Sequence, residues 1–292
     1  MPEPWLTFAP IESIHLPSEL TLPCTFNEHV SIQAVPEWVL QAEESDPFRE
    51  KLRSTMESGE GHCIAAVYEA DTLGSRQQTA ANDVFSVHLA LWLIRPTALS
   101  FHVIAHARKH DTEWNIRSIA PYSPAIPLSQ YAYDHLVEED FAKAKTLFGV
   151  LQSVSGKGPV RMAAQAAKKA LIEGAREIRF LLLWIALESL FGPEDGREVS
   201  FRLSQRIALF LETDRLQGCA LFSRIKKSYD WRSKIVHGLR VAKLKNEQSQ
   251  NLLVELEQLV RRSLSAVLAT GSIASTFDGK EREKYLDNLV FG

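Results

Sequence analysis

Pro121-Tyr122-Ser123-Pro124-Ala125-Ile126-Pro127 divides this 292-residue chain into two textures. Proline fixes φ and removes a backbone donor, so three prolines this close together mark a rigid, non-helical connector. Upstream, the first forty residues are punctuated by Pro2, Pro4, Pro10, Pro17, Pro23 and Pro36, with short apolar stretches suited to strands and turns. Asp46-Pro47-Phe48 opens a charged amphipathic stretch that predicts a helix to Glu57, ended by Gly59 and Gly61. His62–Tyr68 reads as β. Val84–Ile94 reads as a helix capped by Asn82 or Asp83 and stopped by Pro96, and Leu99–Ala107 reads as a strand.

Downstream, from about Tyr133, proline recurs only at Pro159 and Pro193, and helical periodicity takes over. Helices are expected near 137–151, 160–191, 199–212, 215–228, 229–240, 246–270 and 277–289. The run Phe180–Ile185 is apolar nearly all round its axis, so that helix should pass through a core and end at Gly192-Pro193. Leu252, Leu253, Leu256, Leu259 and Val260 share one helical face, which reads as bundle packing because the pattern lasts under three heptads. The fold class is therefore α+β: a mixed α/β domain at 1–132 followed by an all-α bundle at 133–292.

Hydrophobic content of 45% and charged content of 24% are those of an ordinary soluble globular protein. Three scattered cysteines (Cys24, Cys63, Cys219) with no CxxC spacing argue against a disulfide scaffold or a cysteine-based zinc site, and fit a reducing compartment. The start Met1-Pro2-Glu3-Pro4-Trp5 lacks the basic residues and apolar run of a signal peptide, and no apolar run reaches membrane-spanning length. A cytoplasmic protein with no membrane partner is expected.

The net charge of −3 conceals an asymmetry. Acidic residues dominate the first sixty positions. Phe222–Lys245, by contrast, holds Arg224, Lys226, Lys227, Arg232, Lys234, Arg240, Lys243 and Lys245 against the single anion Asp230. Such a segment points to a polyanionic partner, or to a partner that shields the basic face. The acidic N-terminal part could itself be that cover.

Within the basic segment stands Tyr229-Asp230-Trp231-Arg232-Ser233-Lys234-Ile235-Val236-His237-Gly238. An Arg can hold a phosphate and a His can move a proton, which are the parts needed to cleave RNA. On a helix Arg232 and His237 lie ~140° apart around the axis and ~7.5 Å apart along it. Ser233 shares a face with His237, and Tyr229 shares one with Arg232. A long Arg can lean towards the His side, or a second subunit can bring in the complementary pair; the spacing favours a composite site at a two-fold interface.

The segment resembles the HEPN superfamily, whose signature is Arg-x4-His, and within it the Apea-like branch. The resemblance covers about 160–245. It includes Leu187-Glu188-Ser189-Leu190-Phe191 at the end of a long helix, then Phe201-Arg202-Leu203 with Arg206-Ile207-Ala208, then Tyr229, Arg232-Ser233 and Val236-His237-Gly238. It implies a small helical bundle that dimerises with its Arg-x4-His motifs facing a shared cleft. It also implies a metal-independent endoribonuclease, a toxin or anti-phage defence effector, with no cofactor. Its partners would be RNA, a second copy of the chain and a possible antitoxin or other regulator. Carried over, Arg232 would bind the scissile phosphate, and His237 would act as general base or acid at the ribose 2′-OH or the 5′-oxygen. The products would be a 2′,3′-cyclic phosphate and a 5′-OH. Ser233 stands where active members often carry Asn, Asp or His; it can hydrogen-bond a phosphate but is no acid–base group. The alternative is a non-catalytic HEPN-type module for dimerisation or for binding nucleic acid or nucleotide.

Supporting roles follow from position. Glu188 ends an apolar run and needs a partner: Arg232 or a backbone group beside a cleft, or a core salt bridge with Arg202 or Arg206. Arg224, Lys226, Lys227, Lys234 and Arg240 are candidates to track an RNA backbone, or simply a solvated face. Tyr229 and Trp231 offer base stacking, with a core anchor the alternative for Trp231. His102, His106 and His110 fall at even spacing and would suggest a metal face, but no HExxH accompanies them and no metal is expected. Gly156-Lys157-Gly158 lacks the phosphate-loop pattern, and no GxSxG elbow exists.

Overall fold

The computed structural model describes residues 3–40, 52, 61–70, 73–122, 136–154, 156–237 and 246–291. The expected helix at 47–57 (Leu52 apart), the domain boundary at 132/133, the connector beyond Tyr122 and Arg240 lie outside these residues. The chain forms two compact units, Met1–Gly149 and Val150–Gly292. Together they are of mixed α and β structure. Among the described residues no helix is long and apolar enough to cross a membrane.

Unit 1 is built on a six-stranded antiparallel sheet. Its strands are β1 (Glu3–Pro10), β2 (Cys24–Thr25), β3 (Val30–Ala34), β4 (His62–Ala70), β5 (Val103–His110) and β6 (Glu113–Pro121). Their order across the sheet is β2-β3-β4-β1-β5-β6, which puts the N-terminal strand in the middle. Side chains alternate between the two faces with period two. Leu6 and Phe8 of β1 therefore share one face with Cys63, Ala65, Val103 and Ala105. That face packs with Val35, Val39 of the short helix α1 (Glu37–Leu40), and Leu52. Trp38 stacks on Trp114 at its edge, centroids 6.3 Å apart. β5 turns tightly into β6 through Asp111, whose φ of 53 is a left-handed conformation that aspartate tolerates.

The opposite face meets helix α2 (Leu73–Ile94). This helix begins well before Asn82 and Asp83, so neither caps it. The run Gly74–Ala81 contains several good helix formers and no proline, and the helix propagates back through it. Asp83 is instead buried and accepts a hydrogen bond from the Tyr68 hydroxyl of β4. α2 ends just before Pro96, as expected.

The histidine series lies on and beside β5, not on a helix, and each member has its own environment. His106 is buried, opposite Thr7 in the register, and shares a 2.8 Å hydrogen bond with the Thr7 hydroxyl. His102 Nδ1 lies 2.7 Å from the buried Glu12 carboxylate. His110 is exposed beside Asp111. Among the described residues no group of three His, Cys, Asp or Glu side chains could hold a metal ion.

Burial pushes His106 down from 6.5 to about 4. The folded chain thus resists a proton that the unfolded chain accepts. The stabilisation is complete above pH 6.5 and is lost as pH falls from 6.5 towards 4, to a total of up to about 3 kcal/mol. Urea midpoints of unit 1 should fall through that window, and the His106→Gln variant should flatten the fall.

In unit 2 every described element is helical, and α3 (Glu138–Ser153) crosses the division between the units. α4 (Pro159–Leu171) starts with proline at its first turn, and the Asp278 carboxylate accepts from Val160 N at 2.8 Å. The long helix expected over 160–191 is two. It breaks at 172–175, where Gly174 sits, and resumes as α5 (Arg176–Phe191). The break lets the small residues Ala163, Ala164, Ala167 and Ala170 of α4 bury their face closely against α5. Conversely, the two helices expected over 215–228 and 229–240 are continuous as α7 (Arg215–Val236), which follows α6 (Val199–Leu211). No glycine or proline interrupts Cys219–Val236, and Asp214 caps the helix by accepting from Gln217 N at 2.8 Å.

α8 (Asn246–Val267) buries Leu253, Leu256, Leu259 and Val260, the face expected for bundle packing. α9 (Gly271–Asp278) and α10 (Arg282–Phe291) close the unit. Phe191, Phe210, Phe277 and Tyr285 join α5, α6, α9 and α10 in one aromatic chain, with successive centroids 5.3 to 5.7 Å apart. A buried pair, Arg179 of α5 with Glu257 of α8, at 2.5 Å, ties the middle of the bundle.

Candidate functional site

The last turn of α5 is clamped, and that clamp fixes Glu188. Four carbonyls at a helix end lack intrahelical partners. Here Arg206 of α6 donates to Phe191 O at 3.2 Å, and Arg282 of α10 donates to Ser189 O at 2.9 Å. Gly192 N donates to Glu188 O at 2.8 Å. A Cβ at position 192 would stand 2.4 Å from that same oxygen, so only glycine fits without a shift. Gly192→Ala should therefore lower stability by about 2 kcal/mol, read as a shift in the urea midpoint, while Gly174→Ala, where a Cβ meets open space, should not.

Glu188 pairs with neither Arg202 nor Arg206. Arg206 is spent on Glu283 and Asp287, at 2.8 and 2.9 Å, and Arg202 on Asp195 at 2.7 Å. The partner of Glu188 is Arg232, on α7. Arg232 Nη2 donates to Glu188 Oε2 at 3.1 Å, and Nε lies 3.0 Å from Oε1. Both side chains keep an opening to solvent, 29% for Arg232 and 23% for Glu188.

Tyr229 completes the cluster from one turn below Arg232. Its ring lies 5.7 Å from the Arg232 guanidinium carbon, and its hydroxyl feels the Glu188 charge. Burial, then the Glu188 charge, raises the Tyr229 phenol above its ordinary value, against the opposing pull of Arg232. Behind it stands the fully buried Trp184, edge-on to Tyr229 with centroids 5.1 Å apart. Trp184 was not among the residues expected here. Its place four residues before Glu188, on the same helical face, was the available signal.

The rest of the motif faces other ways. His237 is exposed at the C-cap of α7, and its backbone N–H donates to Ser233 O at 3.1 Å. Ser233 is half-buried beside it. Within one chain Arg232 turns towards α5 while His237 faces solvent, as the ~140° helical offset requires. Arg224, Lys226, Lys227 and Lys234 are all exposed along α7. Lys234 Nζ lies 4.4 Å from the centre of the Trp231 ring. Trp231 is half-buried and, with Ile235, lines a small apolar cavity against Phe180, Leu252 and Leu253, so it behaves as an anchor between helices.

The structure thus brings Glu188, Arg232 and Tyr229 together, sets His237 and Ser233 at the adjoining helix end, and leaves a row of exposed cations on the same helix. The guanidinium can bind an oxyanion on the edge turned away from Glu188, and the imidazole is accessible for proton transfer. No family model, curated protein or solved structure matches the chain, so its chemistry is read from these side chains.

Proposed function

We propose that the chain is a metal-independent endoribonuclease of HEPN type, acting in the cytoplasm as a toxin or anti-phage effector, with unit 2 as its helical dimerising bundle. The observation that carries this reading is an arginine paired with Glu188 over the Tyr229 ring, with part of its edge open to solvent, on the helix that ends in the exposed His237. Arg232 neutralises the scissile phosphate. A neutral His237 takes the proton of the ribose 2′-OH as that oxygen attacks phosphorus. The bond from phosphorus to the 5′-oxygen breaks, and a protonated His237 supplies the proton that the leaving oxygen needs. The products are a 2′,3′-cyclic phosphate and a 5′-OH.

One helix cannot present both groups to one phosphate, because they project from different sides of it. A second copy related by a two-fold axis supplies the missing complement and provides two imidazoles, one as base and one as acid. Ser233 hydrogen-bonds a phosphate oxygen, and Arg224, Lys226, Lys227 and Lys234 follow the backbone beyond the cleaved bond. Incubation of the purified chain with transfer RNA tests this reading: cleavage by the wild type supports it. An absence of both binding and cleavage under all conditions, with nothing lost in His237→Ala, contradicts it.

A second reading is favoured by one observation: the Nε and Nη2 edge of Arg232 is already occupied by Glu188. An arginine used this way can be a bundle tie in a non-catalytic module that dimerises or binds nucleic acid. In that case RNA binds without being cut, and Arg232→Ala costs stability, not activity.

A further inference from the structure

We propose that Glu188 is a built-in counter-anion for Arg232, so that its charge sets the threshold at which the site accepts a phosphodiester. The inference rests on the ribonuclease reading and names the device that regulates that site. The pair is partly exposed, with the guanidinium using Nε and Nη2 on the carboxylate. Among the described residues Arg232 has no second carboxylate, so its free edge is the one that an incoming phosphate meets. Glu188 cannot swing aside with its helix, because Arg206 and Arg282 clamp the last turn of α5. Tyr229 packs beneath the pair, its ring 5.7 Å from the Arg232 guanidinium carbon, and rests on the buried Trp184. Arg232 is therefore well positioned yet electrically offset. An incoming phosphate gains the guanidinium and meets the repulsion of a fixed carboxylate on its far side.

This arrangement separates position from charge. Glutamine at 188 keeps an oxygen to accept from Arg232 but removes the negative charge. The variant Glu188→Gln should therefore bind phosphodiesters about tenfold tighter, the scale of one unscreened neighbouring charge at partial exposure. A residue that served only to position Arg232 would give equal or weaker binding in the same variant.

The test is the affinity of a fluorescent all-2′-deoxy oligonucleotide, which cannot be cleaved by 2′-OH attack, for the full-length wild type, Glu188→Gln and the double variant Glu188→Gln/Arg232→Ala. The expected result is a gain of about tenfold in Glu188→Gln that vanishes in the double variant and shrinks as salt rises. Unchanged or weaker binding by Glu188→Gln would overturn the proposal. Should Glu188→Gln fail to fold, Glu188→Met, neutral and of similar length, carries the same test. If no protein binds the oligonucleotide and the wild type neither binds nor cuts transfer RNA, the ribonuclease reading fails; whenever the oligonucleotide is not bound, pyrophosphate decides about the counter-anion: tighter binding in Glu188→Gln than in both other proteins sustains it, and equal binding in all three overturns it.

Discussion

His237→Ala and Arg232→Ala should each lower RNA cleavage by about a thousandfold or more. General acid–base groups contribute roughly 10²–10⁴, and removing one charged or hydrogen-bonding stabiliser of a transition-state oxyanion costs roughly 10²–10³. The two variants should differ in how the loss is distributed. His237 is exposed, so His237→Ala should leave melting and RNA affinity nearly untouched and act on kcat. Arg232 is held by Glu188, so Arg232→Ala should also weaken RNA binding and leave Glu188 without its cation, with a small drop in stability. If the proposed dimer forms, an equal mixture of the two inactive variants should regain at most a small part of the activity, because a mixed dimer retains one intact arginine but only one of the two imidazoles. Kinetics on a short labelled RNA, with the mixture measured beside each variant, checks all three statements. A mixture as inactive as its components would mean that one imidazole cannot serve both as base and as acid.

Glu257→Ala should destabilise unit 2 by about 3–5 kcal/mol, the usual cost of stranding one half of a buried ion pair. Glu257 is fully buried, and its partner Arg179 nearly so. Truncating the glutamate leaves a guanidinium inside the bundle with its main counter-ion gone. Total stabilities of domains lie at roughly 5–15 kcal/mol, so the loss removes a large fraction of the whole. Replacing both residues by leucine should be far milder, because an apolar pair of similar volume needs no compensation. Urea unfolding followed by circular dichroism distinguishes the single from the double variant. Activity should follow stability here, since Arg179 lies on α5, the helix that carries Glu188, but on the side buried against α8.

Much of the fold was legible because proline and periodicity are local signals. The prolines up to Pro36 and the run beginning at Pro121 bracket a β-containing part, and the helical periodicity after Tyr133 corresponds to helices among the described residues of unit 2. The errors came where local patterns are ambiguous. Periodicity runs unbroken through Ala163–Leu190, so only Gly174 hinted that α4 and α5 are separate, and what settles the turn is the packing of their small-residue face. Polar Asn82 and Asp83 looked like caps, but Asp83 meets Tyr68 in the interior, a contact visible only once β4 lies under α2.

At the site, the pairing of Glu188 with Arg232 was one of two alternatives open from sequence. Its competitor was excluded by Glu283 and Asp287, which claim Arg206 from 77 and 81 residues away. The clamp on α5 was illegible for the same reason: Arg282 reaches Ser189 across 93 residues. Such pairings depend on how helices close into a bundle, and no spacing rule encodes them.

The chemistry of the RNA ends left in the presence of EDTA tests the central claim most directly. The account predicts that the wild type cuts transfer or total RNA without added metal, leaves 2′,3′-cyclic phosphate and 5′-OH ends, and loses that activity in both Arg232→Ala and His237→Ala. Cleavage that stops with EDTA, 3′-OH and 5′-phosphate ends, or products that persist in both variants would contradict it.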